Sequence, residues 1–313
     1  MAIHVSLVTY RSRGCIDACL ASVRAQGDVV SAIWLADNGG DDTAAHVRRR
    51  HPDVRVLETG RNAGFAAGHN ANFARAGGEL FFVLNPDVVL APGCLARLRA
   101  ALAADPGVGA AQGALLADAG GGRLDSAGIA WSPGRTRFRD RGRGDTPARH
   151  ARARDVLGAC GAAALYRRAA LEQVSRPGEA PFAESLFMYY EDVDLALRLR
   201  RAGWRTRFVP EARAVHARGG SGAAAPFVEY HLVRNRLWVS LRSASAGELL
   251  RELPGLALFE GAKLVQSLWR PHLRRALRDQ VRGVPAALGA RRALLAPRGA
   301  APAPARGLAR EEG

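Results

Sequence analysis

Three carboxylates fall within four positions at Glu191, Asp192 and Asp194, directly after the aromatic run Phe187-Met188-Tyr189-Tyr190. Capping a helix with one acid is worth roughly 0.3–1 kcal/mol, and further acids so close repel one another. The surplus marks a place where a proton, a cation or a substrate uses the charge. Asp87 in Leu84-Asn85-Pro86-Asp87 follows a short apolar run. Its carboxylate either closes an Asn-Pro-Asp turn or holds Mg²⁺ or Mn²⁺, hard cations that share oxygen ligands with substrate phosphates. His216, after Ala214-Val215, is either a structural histidine or a metal ligand through neutral imidazole. Asp37 either accepts hydrogen bonds from a nucleobase imide or forms an Asx turn with Asn38. Residues 60–70 place Gly60, Gly64 and Gly68 among Asn62 and Asn70. Small residues at a helix start allow close approach of a diphosphate to backbone N–H groups; tight helix packing is the other reading. Arg234 either pairs with a diphosphate or anionic acceptor or belongs to a solvated basic face.

These groups need a scaffold that brings them together. Strand-like runs at 3–9, 29–36, 54–57 and 80–84 alternate with helical patterns at 16–25, 42–50, 64–76 and 93–104. Such alternation predicts an α/β fold with a doubly wound, mostly parallel sheet flanked by helices. Ligands of these sheets bind beyond the carboxyl ends of the strands. The tips Thr9-Tyr10-Arg11, Asp37-Asn38 and Asn85-Pro86-Asp87 then share one rim. The first strand lacks a following GxGxxG, which counts against a dinucleotide-dependent oxidoreductase. Residues 118–155, rich in Gly, Arg and Asp, read as a mobile loop over the site. Structure resumes at 156–166, with helices at 169–174 and 192–202, a strand at 206–209 and a helix at 227–241. The organisation expected is a catalytic domain at 1–240, a basic helical extension at 241–295 and a disordered Ala/Pro/Gly/Arg-rich tail at 296–313.

The chain has 313 residues, 48% of them hydrophobic, which suffices for a sizeable core. Its net charge of +16 favours anionic partners: phosphorylated substrates, nucleic acid or an acidic membrane surface. All but one of its 45 basic residues are Arg, the exception being Lys263, so part of this charge reflects coding bias. With 6% aromatic residues and no binding motif, no specific nucleic-acid partner is expected. There is no apolar run of roughly 20 residues and no basic segment leading into an apolar one at the N-terminus. A cytoplasmic protein is expected. Its basic amphipathic C-terminal region either packs on the domain or lies on the anionic inner face of the plasma membrane. Cys15, Cys19, Cys94 and Cys160 lack metal-knuckle spacing and read as free thiols.

Taken in order, the motifs around 5–10, 36–42, 62–70, 84–87, 158–162 and 187–195 resemble family 2 inverting glycosyltransferases of GT-A fold, especially their rhamnosyltransferase-like bacterial members. The resemblance runs from Val5 to Trp238. It implies sugar transfer from a nucleotide-diphosphate donor to a hydroxyl of a saccharide or lipid-linked acceptor, with a divalent cation as cofactor. Rhamnose is the sugar it favours; a UDP-sugar, or a nucleotide-sugar-binding protein without catalysis, are the alternatives. The resemblance puts Thr9, Tyr10, Asp37, Asn38, Asn62, Gly64, Asn70, Asn85 and Asp87 around the donor. Asp87 stands at the last acidic place of the family's DXD motif, whose first acidic place is Asn85 here. Asp87 and His216 would hold the metal. Asp192 matches the catalytic base, with Glu191 beside it, while Asp194, Gly161 and Arg234 fall on the acceptor side.

Overall fold

The computed structural model describes residues 1–132, 134, 136–175, 180–218 and 224–295. The tail expected at 296–313 lies outside the described residues. The first half alternates as the patterning requires: β1 Ile3–Thr9, α1 Ile16–Arg24, β2 Val30–Asp37, α2 Thr43–Arg50, β3 Val54–Glu58, α3 Gly64–Phe73, β4 Leu80–Leu84, β5 Val88–Leu90, α4 Cys94–Ala103 and β6 Val108–Leu116. Beyond them come β7 Leu124–Ser126, β8 Ile129–Trp131, β9 Phe138–Asp140, β10 Arg154–Val156, β11 Ala163–Arg167, α5 Arg168–Val174, α6 Glu191–Arg201 and β12 Arg205–His216. Three helices, α7 Ala225–Ser243, α8 Ala246–Gln266 and α9 Pro271–Leu295, complete the described chain.

The main sheet has the order β10-β12-β6-β11-β4-β1-β2-β3. Its backbone is parallel at β1–β2, β1–β4, β2–β3 and β6–β12. The doubly wound expectation needs one amendment: β11 runs antiparallel between β4 and β6. Because β11 opposes both neighbours, β4, β6 and β12 still point the same way. The carboxyl ends of β1, β2, β4, β6 and β12 therefore share one edge, and the amino end of β11 joins them there.

Buried on both faces, β4 reads Leu-Phe-Phe-Val-Leu without interruption, as a covered parallel strand should. Its side chains divide by the two-residue period. Leu80, Phe82 and Leu84 pack with Ile16, Leu20, Leu95 and Leu98 from α1 and α4. Phe81 and Val83 pack with Leu171, Leu195 and Leu199 from α5 and α6. Gly68 lets α3 lie close on β1, since a Cβ there would stand 2.7 Å from the Val8 side chain.

Residues 118–155 differ from the loop expected of them. They hold β7 on the edge of β6, the β8–β9 hairpin and β10. Leu124, Ile129 and Phe138 are buried anchors that are too widely spaced along the chain to register as a strand pattern. The strand expected at 206–209 is part of a longer element, β12, which runs on to His216 and shifts register between Val209 and Arg213.

Candidate active site

At the tips of β1 and β2 the Thr9 hydroxyl donates to Asp37 Oδ1 at 2.6 Å, and Asn38 N–H donates to the Thr9 carbonyl at 2.8 Å. Burial raises the Asp37 pKa, although the Thr9 hydrogen bond opposes it. Tyr10 lies alongside, with the Arg11 guanidinium 5.3 Å from its ring centre. Asn38 is committed elsewhere. Its amide donates to the Gly64 carbonyl at 3.1 Å and its Oδ1 accepts from Ala63 N–H and the Thr59 hydroxyl. It ties β2 to the start of α3 and is a positioning residue. Asn62 Oδ1 accepts the Gly64 N–H at 3.1 Å. Gly64 has φ +89°, and a Cβ there would stand 2.6 Å from the Phe187 carbonyl oxygen. Asn70, expected at the donor, spends its amide on Phe182 and Glu184: Nδ2 donates to the Phe182 carbonyl and Glu184 Oε1, and Oδ1 accepts the Phe182 N–H. The helical register of α3 turns it away from the nucleotide rim and into the packing against 182–184.

Further along the same edge, Asn85 N–H donates to the Ala162 carbonyl at 2.9 Å. The next residue back, Gly161, donates its N–H to Asp192 Oδ2, also at 2.9 Å. Two backbone contacts thus join the end of β4 to the Asp192 carboxylate. On the other side of Asn85, Asp87 Oδ1 lies 3.4 Å from His216 Nε2. Ala217 N–H donates to the Asp87 carbonyl, fastening the end of β12 to the same turn.

His216 is held from behind. Its Nδ1 lies 2.8 Å from Asp125 Oδ2, and Asp125 also accepts from Arg218, whose Nη2 reaches Asp140 at 2.9 Å. Burial lowers the His216 pKa, but hydrogen bonds to Asp125 and Asp87 outweigh it and carry it to about 9. Without a cation the two carboxylates therefore favour the protonated ring, whereas the neutral imidazole expected of a metal ligand is the form a bound cation would select. The residues nonetheless fit a divalent ion. Ligands around an octahedral ion at about 2.1 Å are separated by roughly 3 Å, close to the Asp87–His216 spacing, and a carboxylate on the far imidazole nitrogen is the usual orienting partner. Asp125 and Asp140 escaped the sequence reading because single aspartates in a Gly/Arg-rich stretch carry no periodic signal.

The three clustered carboxylates separate by environment. Asp192, partly exposed, accepts from Gly161 and Val193 N–H groups. Burial raises its pKa to about 6; the Gly161 bond opposes this and the Asp140 charge adds to it. Glu191 is buried, has no partner at Oε2, and is pushed well above the carboxylate range by burial and by Asp192. Asp194, expected to bind acceptor, cannot: it is fully buried and bonded to Arg198, Arg242 and Ser243. On a helix entered at Glu191, Asp194 points inward, one turn from Arg198.

The backbone ahead of Asp192 is strained. Phe187, Tyr189 and Tyr190 have φ of 65°, 65° and 70°, a region that costs of order 1–3 kcal/mol per non-glycine residue. Asn235 on α7 holds this turn. Its Nδ2 lies 2.9, 2.9 and 2.7 Å from the carbonyls of Leu186, Met188 and Tyr189. Arg234 donates to the carbonyls of Ser185 and Leu186 and stacks over Trp238. It buttresses the turn, in place of the anion contact expected of it. Asn235 is fully buried on a helix whose buried positions include His231, Arg236, Ser240 and Arg242, so no apolar stripe singled it out in the sequence. An Asn235→Ala enzyme should lose about 10²-fold in transfer rate, the scale of a 1 Å misplacement, with donor affinity little changed. Steady-state kinetics against donor concentration will check this.

A second cluster sits on α1 and α2, where single ligand atoms of Asp17, His46 and His51 lie within 4.8 Å of one another. Arg24 Nη1 contacts His51 Nδ1 at 2.8 Å. A guanidinium only donates, so the His51 proton sits on Nε2 and points at Asp17 rather than leaving a lone pair for a metal. Bonds from His51 and His46 hold the Asp17 pKa at about 2.

A mixed sheet with helices on both faces carries Thr9 and Asp37, the Asp87–His216 pair and, through Ala162 and Gly161, Asp192 along one edge. Residues 5–175 match the family described as Glycosyl transferase family 2. The N-acetylglucosaminyl-diphospho-decaprenol L-rhamnosyltransferase of Mycobacterium tuberculosis is 32% identical over 251 residues, 71% of this chain and 78% of that protein. GalNAc-T7 with UDP, GalNAc and Mn²⁺ superposes with a TM-score of 0.60 at 16% identity, over 77% of this chain and 48% of its own. S. aureus TarS 1–349 in complex with UDP-GlcNAc gives 0.56 at 17% identity, over 93% and 84%. The chain belongs to glycosyl transferase family 2 and is a glycosyltransferase.

Proposed function

We propose that this glycosyltransferase moves rhamnose from a nucleotide-diphosphate donor, with inversion, onto a hydroxyl of a lipid-linked saccharide in the synthesis of a cell-surface polysaccharide. The observation that carries the mechanism is the continuous edge from Asp87 through Asn85, Ala162 and Gly161 to Asp192. The mycobacterial relative, named for transfer of L-rhamnose to a decaprenol-linked diphosphosugar, supports the sugar and the acceptor class.

Asp192 is the general base. With its pKa near 6, it is ionised at neutral pH yet basic enough to take a hydroxyl proton as the new bond forms, for roughly 10²–10⁴-fold in rate. The acceptor oxygen attacks the anomeric carbon, the bond to the diphosphate oxygen breaks, and the electron pair leaves with the nucleotide. The proton ends on Asp192. Thr9, Tyr10 and Asp37 receive the base and ribose, and Asn62 and Gly64 shape the donor pocket. A cavity of about 200 Å³ lies on the Asp125 side of His216, lined by Arg123, Arg143 and Arg218 as well as by Asp125. Asp87 and His216 would hold Mg²⁺ or Mn²⁺, whose chemistry is to neutralise charge on the departing diphosphate.

A thermal-shift screen of nucleotide sugars tests the donor. The dTDP-rhamnose melting shift with Mn²⁺ should exceed that of UDP-sugars, and Asp87→Ala should abolish the Mn²⁺-dependent part. A larger shift with a UDP-sugar would replace rhamnose as the donor.

A further inference from the structure

Helix α8 is amphipathic in the reverse sense. Most of its charged residues face the protein, Arg251 being the exposed exception: Glu252 is fully buried against Arg236, Glu260 accepts from Gln280, and Lys263 bonds Glu229 at 2.8 Å. Its outward face is apolar. At about 100° per residue, Leu250, Leu253 and Leu264 fall in one stripe, with Leu258 and Val265 along its edge, and Leu268 and Trp269 follow in the turn just past the helix end. These seven are 49–73% exposed. The helical part of the stripe spans sixteen residues, about 24 Å of helical rise, and the surface is bordered by exposed Arg251 and Arg270. The neighbouring helix α9 adds Arg275, Arg278 and Arg282, with side chains 60–71% exposed. Single exposed leucines are ordinary, but an aligned stripe of this length marks a surface that is covered in use.

We infer that α8 docks the enzyme on an anionic membrane surface, lying in the interfacial plane with its leucines and Trp269 among the upper acyl chains and the flanking arginines on the headgroups. This deepens the lipid-linked acceptor reading and rests on it. No described helix is long and apolar enough to cross a membrane, so the contact is lateral. Charge selects the occupant. The chain carries +16, and arginines beside an apolar stripe match an anionic interface, whereas a second copy would bring like charge against like.

The test is co-sedimentation of the full chain with vesicles of phosphatidylcholine and phosphatidylglycerol, against phosphatidylcholine alone. The wild type should bind the anionic vesicles preferentially, with a blue shift of tryptophan emission. A combined L253Q, L264Q, L268Q and W269Q variant should lose at least about tenfold in partitioning while keeping its melting temperature. Wild-type protein that stays in the supernatant overturns the inference. So does a dimer in sedimentation velocity that the variant dissociates without any vesicle binding. Donor-dependent thermal stabilisation should be equal in wild type and variant. If docking fails while that response persists, the catalytic reading stands; if the response is absent while vesicles bind, the catalytic reading alone falls.

Discussion

Replacing Asp192 by Asn should reduce sugar transfer by about 10²–10⁴-fold, the usual contribution of a positioned base, while donor-induced stabilisation persists. Asparagine keeps the shape and can still accept the Gly161 N–H, so the loss isolates proton transfer from binding. Single-turnover assays with a hydroxyl acceptor, paired with donor thermal shifts, separate the two. Near-normal turnover would remove Asp192 from the mechanism. The wild-type pH profile supplies a second readout. The active form is ionised, and burial has raised the pKa to about 6. kcat/KM should therefore be level above that value and fall about tenfold per unit below it. Because the Asp140 charge contributes to the raised value, Asp140→Asn should move this limb to lower pH.

Asp194→Asn should cost about 3–5 kcal/mol of stability, the scale for breaking a buried ion pair from one side. The change leaves Arg198 and Arg242 charged in the interior without their shared carboxylate, while Arg198 keeps its bonds to the carbonyls of Val174 and Pro181. Denaturant unfolding will measure it. The exposed Glu79→Gln, which loses an ion pair with the N-terminus and weakens the bond from Ala2 N–H, should change stability by less than about 1 kcal/mol. pH gives the sign. Burial opposes ionisation of Asp194, but Arg198, Arg242 and Ser243 hold its pKa at about 2, below the unfolded value of about 3.9. Its stabilisation is complete above the unfolded pKa and is lost as pH falls from about 4 toward 2. Over that window the variant should lose less stability than the wild type. Equal acid sensitivity would assign the effect to other carboxylates.

Docking through α8 and buttressing through Asn235 bear on the same event from opposite ends. In the proposed reaction one would bring a lipid-linked hydroxyl to the enzyme, and the other would fix the strained turn that precedes Asp192. The strain at Phe187, Tyr189 and Tyr190 is offset in part by α7, whose Asn235 lies against the carbonyls of Leu186, Met188 and Tyr189. Stability and catalysis are therefore coupled at this helix, and the catalytic turn cannot be understood from residues 187–195 alone.

Local patterning determined much of this. The alternation of β1 through α4 was legible because buried strands and amphipathic helices impose different periods on the same chain, and the rim at Thr9, Asp37 and Asp87 followed from parallel strand direction. The crowding of Glu191, Asp192 and Asp194 was visible as excess charge. Their division of labour was not. Whether a carboxylate meets two arginines, a backbone N–H or an apolar wall depends on which way a helix turns and what packs on it, so Asp194 became a buried anchor and Asp192 the carboxylate held by the Gly161 N–H. Asp125, Asp140 and Asn235 likewise act through partners about 50 to 90 positions away, and the outward leucines of α8 gain meaning only once its glutamates are seen to face the protein. Periodicity is a property of neighbours in the chain; ionisation, orientation and exposure are properties of neighbours in space, and only the folded molecule assigns those.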